Sequence, residues 1–168
     1  MNDKRRRFEA LAMPHLDAAY NLARWLTRNP AEADDIVQDA MLRAFRAFDG
    51  FRGEAAKPWL LAIVRNCHLN ALGTKKRHAA APLPETDTLA DADPTPEGRM
   101  MAADDGRRLN AALATLPEEF REVVVLRELE EMSYREIADV TGAPIGTVMS
   151  RLARGRALLR VELAGDRI

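Results

Sequence analysis

The stretch from Ser133 to Arg160, SYREIADVTGAPIGTVMSRLARGRALLR, constrains this chain more than any other. Its apolar residues recur at helical spacing on both sides of one glycine, so it reads as two helices joined by a tight turn. Ser133 and Glu136 make a capping box, in which hydroxyl and carboxylate each satisfy an orphan backbone donor. Ile137 and Ala138 then face inward. Thr141-Gly142 supplies the stop, because glycine accepts the left-handed conformation that ends a helix. Pro144 restarts the chain with its torsion already helical. The second helix turns Val148, Leu152 and Leu159 inward and leaves Thr147, Ser150, Arg151 and Arg154 outside. Short polar and guanidinium groups near the start of a second helix suit a DNA major groove. An ordinary helical hairpin with a charged solvent face is the plainer alternative.

The rest of the chain divides into three parts. Residues 1–78 are helical throughout. Pro14 opens a helix with Leu16, Ala19, Tyr20, Ala23 and Leu26 inward, and Asn29-Pro30 places an N-cap before a proline at the first helical position. The next helix has the cleanest periodicity: Ala33, Ile36, Val37, Ala40, Met41, Ala44, Phe45 and Phe48. Gly50 and Gly53 mark a loop. Pro58 starts a helix that buries Trp59, Leu60, Ile63, Val64 and Cys67, and Gly73 is expected to stop it. Residues 79–105 change in texture, with Pro82, Pro84, Pro94 and Pro96 among many acids, and are expected to form a linker unable to fold alone. Residues 106–168 return to helix, with Leu109, Leu113 and Leu116 inward, then Pro117 opening a helix with Phe120, Val123 and Val124. No stretch alternates as a strand would.

A net charge of −1 at first argues against a nucleic-acid partner. Its distribution argues the other way. Lys4, Arg5, Arg6 and Arg7 cluster at one place, Lys75, Lys76 and Arg77 at a second, and Arg151, Arg154, Arg156 and Arg160 at a third. Acids concentrate around Glu32–Asp39 and Glu85–Asp105. Sign segregation gives basic patches that can hold phosphate on a nearly neutral chain. No apolar run reaches the roughly 20 residues that span a bilayer, and no apolar signal region follows the basic start, so membrane insertion and export are not expected. The single cysteine, Cys67, excludes an internal disulfide and is read as core filler.

Enzyme signatures are missing. His15, His68 and His78 are scattered without metal-ligand spacing. Gly142 and Gly146 lie in the helix-turn-helix rather than after a strand, so no phosphate loop is present. Neither catalysis, a metal nor a cofactor is expected. Asp34, Asp35, Gln38 and Asp39 project away from the apolar stripe of their helix. They are read as a docking face for a basic protein surface, or as acids favoured by the helix dipole. Between that helix and the next lies FRGEAAKP, followed by Trp59, Arg65-Asn66, Asn70 and the basic triplet. Such residues can hold phosphates and unstacked bases.

Together these pieces resemble the extracytoplasmic-function (ECF) subfamily of bacterial RNA polymerase sigma factors. The resemblance rests on EADDIVQDAMLRAF and PWLLAIVRN in the first part, and on LPEEFREVVVLRELEEMSYREIA and GTVMSRLARGRALLR in the last, in that order. It implies an all-α chain of two small helical domains, 1–78 and 106–168, joined by a flexible acidic linker, 79–105, that threads toward the RNA exit path. It implies that Asp34, Asp35, Gln38 and Asp39 grip the clamp helices of the largest subunit of core RNA polymerase. Phe51 and Arg52, in the loop to Lys57, would help capture a base flipped from the −10 promoter element. Trp59, Arg65, Asn66, Lys75, Lys76 and Arg77 would lie along the melted strand and its upstream duplex. Pro144, Thr147, Ser150, Arg151 and Arg154 would face the −35 major groove. Cytoplasmic promoter DNA, core polymerase and an anti-sigma factor are the implied partners.

Two positions depart from the family pattern. Glu131 stands where the family usually has glycine, which bears on the turn before Ser133. Met149 stands where it often has lysine or arginine, which removes one phosphate or base contact. Promoter elements about 17 base pairs apart lie roughly 60 Å from each other. A linker of about 27 residues spans about 30 Å as a coil and reaches about 90 Å extended, so both elements can be engaged at once. The rival readings are a stand-alone helix-turn-helix regulator of the response-regulator output type, and a helical adaptor without a DNA role.

Overall fold

The computed structural model describes residues 2–53, 55–78 and 100–165, with side chains placed for 3–53, 55–74 and 104–165. Every regular element among the described residues is helical, as expected for the all-α class. The first body holds α1 (Asn2–Ala12), a 3-10 turn (Met13–His15), α2 (Leu16–Thr27), α3 (Pro30–Ala47), a second 3-10 turn (Phe48–Gly50) and α4 (Ala56–His78). The second holds α5 (Met100–Thr115), α6 (Glu118–Val124) running into a π-helical turn (Val125–Leu129), α7 (Tyr134–Thr141) and α8 (Ile145–Gly165).

Helices α2, α3 and α4 pack on one another around Ala19, Leu22, Ala23, Ala33, Ala40, Ala44, Leu60, Leu61 and Val64, all fully buried. Three of the five buried residues of α3 are alanines (Ala33, Ala40 and Ala44), which lets its neighbours approach closely. Asn29 caps α3, its side-chain oxygen accepting from the Ala31 and Glu32 amides at 2.9 and 3.2 Å. Helix α1 closes the bundle through Phe8, whose ring meets Phe45 and Phe48 edge-on at 5.3 and 5.6 Å.

Two elements differ from the sequence expectation. Helix α4 runs through Gly73 to His78, so that glycine does not stop it. A lone helical glycine costs only about 1 kcal/mol against alanine and leaves the hydrogen-bond ladder intact. Helix α5 begins at Met100, so the last six residues assigned to the linker, 100–105, are helical backbone. The remainder of that segment, 79–99, lies outside the described residues.

The second body packs against the first, α7 on α4 and α6 on α2, and the buried apolar residues of both form one continuous cluster. Arg121, midway along α6, fastens this joint and is only 7% exposed. Its guanidinium donates to the carbonyls of Leu113 (3.1 Å) and Leu116 (2.7 Å) at the end of α5, and to Trp25 (3.3 Å) at the end of α2. One cation thus donates to carbonyls at the C-terminal ends of two helices, where the helix dipole favours positive charge.

Candidate nucleic-acid and polymerase interfaces

The helix-turn-helix forms as its sequence dictates. The Ser133 hydroxyl accepts from the Glu136 amide at 3.1 Å, and the Glu136 carboxylate accepts from the Ser133 amide at 2.9 Å. Gly142 ends α7 at φ 72° with its amide on the Ala138 carbonyl, 2.8 Å away. The turn ahead of Ser133 is stitched by Met132 N–H to the Leu126 carbonyl (3.1 Å) and by Arg127 to the Met132 carbonyl (2.8 Å). Glu131 sits in this turn at φ 54°. The turn therefore keeps the left-handed backbone that glycine would adopt, although a side chain occupies the position.

Helix α8 buries Val148, Leu152 and Gly155 against α6, so closely that a Cβ on Gly155 would lie 2.7 Å from Val124 Cγ2. At about 100° per residue, the opposite face carries Gly146, Ser150, Ala153 and Ala157. Met149 and Arg154 border it on either side. All six are exposed. Ser150 and Arg154 thus stand where the sequence placed them, and Pro144 is exposed at the helix entry, its carbonyl accepting from the Val148 amide. Thr147 and Arg151 are half-buried on one flank, Arg151 3.9 Å from Glu119 of α6. Arg156 is held by Glu128 at 2.7 Å, whereas Arg154 makes no ion pair among the described residues.

On α3, Asp34, Asp35 and Gln38 are exposed, with Asp34 near enough to Tyr20 to hold its phenol above the ordinary value by hydrogen bonding. Asp39 is half-buried, pairing with Arg43 at 3.1 Å and facing Cys67. One turn past Gln38 on the same side of α3 stands Leu42, 59% exposed. Sequence reading missed it, although an apolar residue off the buried stripe was the available signal.

The loop after α3 brings Phe51 and Trp59 together, ring centroids 4.5 Å apart, with Phe51 also stacked on Phe48 at 6.2 Å. Arg52 and Asn66 are exposed. Arg65 is turned elsewhere: its guanidinium pairs with Glu122 of the second body. Around it, His68 lies 3.0 Å from Glu118, and Lys57 donates to the Glu130 carbonyl at 2.8 Å and pairs with its carboxylate at 3.1 Å. Asn21 donates to the same carboxylate at 2.8 Å. Glu122 is 5% exposed, and burial pushes its carboxyl above the ordinary range despite the opposing pull of Arg65. Lys75, Lys76 and Arg77 lie on the α4 backbone, but their side chains fall outside the described residues.

A helix-turn-helix body thus packs on a four-helix body that bears an acidic face and an aromatic loop, the layout of a two-part helical binding protein. Residues 11–78 match the family described as Sigma-70 region 2, and residues 106–159 match Sigma-70, region 4. The chain is 37% identical over 158 residues to the ECF RNA polymerase sigma factor SigE of Mycolicibacterium smegmatis, covering 94% of this chain and 62% of that protein. It is 34% identical over 156 residues to the ECF RNA polymerase sigma-E factor of Haemophilus influenzae, covering 84% and 79%. Its fold is similar to that of the sigma factor RpoE from Bartonella quintana, solved in complex with the anti-sigma factor NepR, with TM-score 0.73, 26% identity and 99% and 100% of the chains covered. It is also similar to CnrH in complex with the cytosolic domain of CnrY, with TM-score 0.67, 27% identity and 96% and 90% covered. The chain belongs to the ECF RNA polymerase sigma factors.

Among the described residues no helix is long and apolar enough to cross a membrane, and no group of acidic, histidine or cysteine side chains could hold a metal ion.

Proposed function

We propose that this chain gives core RNA polymerase its promoter specificity, acting in the cytoplasm by binding alone and without catalysis. The observation that carries the reading is the separation of two outward surfaces on one chain: Asp35, Gln38 and Leu42 on α3, and Met149, Ser150, Ala153 and Arg154 on α8. The first suits a basic protein surface with an apolar contact at one end, and the second suits a major groove. Phe51 and Trp59 supply a half-exposed pair of tilted rings against which an unpaired base can rest, offsetting a few kcal/mol of unstacking. Arg52 and Asn66 stand free beside them.

Arg65 and Lys57 are engaged by Glu122 and Glu130 in the arrangement described. Strand binding by Arg65 exchanges that carboxylate for a phosphate and so loosens the joint between the bodies. An anti-sigma partner restrains the chain, as the complexes of RpoE with NepR and of CnrH with the cytosolic domain of CnrY suggest for a chain of this fold. Adding the chain to core polymerase and a genomic promoter library tests the reading. Transcripts starting at a defined subset of promoters are expected; none above the level of core polymerase alone would reject it.

A further inference from the structure

Met149 is 51% exposed on the border of the outward face of α8, in a position where a charge would be cheap and a thioether is not. Its side chain is long and unbranched. Beside it on the outward face stands exposed Ala153, one turn on, and the intervening Ser150 is small. Side-chain bulk is therefore low on the face that would enter a groove, which lets the helix approach closely enough for the two apolar groups to meet base edges rather than phosphates. Arg154, on the other border, supplies the charge that holds the helix to the backbone or to a guanine edge.

In the major groove only one feature of a base pair is apolar, the C5-methyl of thymine, and alanine-type side chains recognise it by contact. We infer that Met149 is a specificity-determining residue that packs, with Ala153, on a thymine methyl of the duplex element read by α8. This rests on the promoter-binding role proposed above and assigns the chemistry of one contact within it. A thymine methyl displaces water from both apolar groups. A cytosine at the same step leaves the thioether facing its amino group, so the contact selects an A·T pair where an arginine would select a guanine.

The test uses holoenzyme assembled from core polymerase and the full chain. Promoters selected from a randomised library are re-synthesised with each thymine of the upstream element replaced singly by deoxyuridine, which removes the methyl and keeps every hydrogen-bonding group. At one or two positions the replacement is expected to weaken binding about fourfold, the effect of returning one methyl group to water. Met149→Ala holoenzyme should lose most of the difference between the two forms, whereas Met149→Leu should keep it; an undiminished difference in Met149→Ala would overturn the assignment to Met149. Equal binding of all deoxyuridine forms by the native holoenzyme, with the promoter still bound, overturns the inference alone. Failure to select any promoter overturns it together with the promoter-binding role.

Discussion

Glu131 shows how one side chain can occupy a backbone conformation made for glycine. At φ 54° its Cβ crowds the following carbonyl, a cost of about 1–2 kcal/mol for an L residue. Glu131→Gly should therefore stabilise the chain by up to about 1 kcal/mol, after the larger unfolded-state entropy of glycine is subtracted. Urea unfolding measures this, and a lower midpoint would refute it. Arg121 is the opposite case, a charge that holds the joint through carbonyls of α5 and α2. Arg121→Lys should cost about 2–3 kcal/mol, because an ammonium cannot serve such separated acceptors with the same planar fork. Cys67 is inert: burial, reinforced by Asp39, pushes its thiol up to about 11. Alkylation at neutral pH should proceed only at the rate of unfolding, and labelling faster than amide exchange of the core would contradict this placement.

At the scale of an element, α3 presents two kinds of acid. Asp35 is free to meet a partner, while Asp39 is already committed to Arg43 and Cys67. Reversing both to lysine would mix a docking effect with a packing effect. The cleaner pair is Asp35→Lys with Leu42→Ala, which should weaken core polymerase binding about tenfold or more and leave helicity unchanged. Native affinity in that double variant would return the face to simple solvation. The helix-turn-helix depends on its caps in the same local way, and the reciprocal hydrogen bonds of Ser133 and Glu136 fix where α7 begins.

For the whole molecule, the decisive feature is the seam between the two bodies, where Glu118, Glu122 and Glu130 face His68, Arg65 and Lys57. A double-mutant cycle on Arg65→Ala and Glu122→Ala should give a coupling of about 1–3 kcal/mol, whereas an exposed pair would give less than about 1. The sign of the pH effect follows from burial. The Glu122 carboxyl is raised above its ordinary value of 4.5 in the docked form, so docking is favoured below that value and weakens as pH rises through the raised one. Small-angle scattering should show a more compact chain at the acid end of that window. In Glu122→Gln this dependence should largely vanish, and its persistence would shift the cause to another carboxylate.

Much of the molecule is written locally. The Asn29-Pro30 start, the capping box at Ser133 and the left-handed stop at Gly142 involve residues within one helical turn of each other, and each formed as its residue types require. Periodicity was less reliable for helices packed on two sides. On α4 the adjacent Leu60 and Leu61, and Cys67 and His68, are all buried, while Trp59 and Ile63 remain partly exposed. A stripe deduced from a single apolar face is too narrow there, because α7 covers a second face.

The sequence by itself determined the helices, their capped ends at Asn29, Ser133 and Gly142, and the family, since those depend on dihedral preferences and hydrogen bonds between near neighbours. Tertiary structure alone decided which charges remain free for a partner. A residue's azimuth on its own helix does not reveal which distant helix lies opposite, and only packing across the chain set Arg65 against Glu122 and Arg151 near Glu119 while Arg154 stayed unpaired among the described residues.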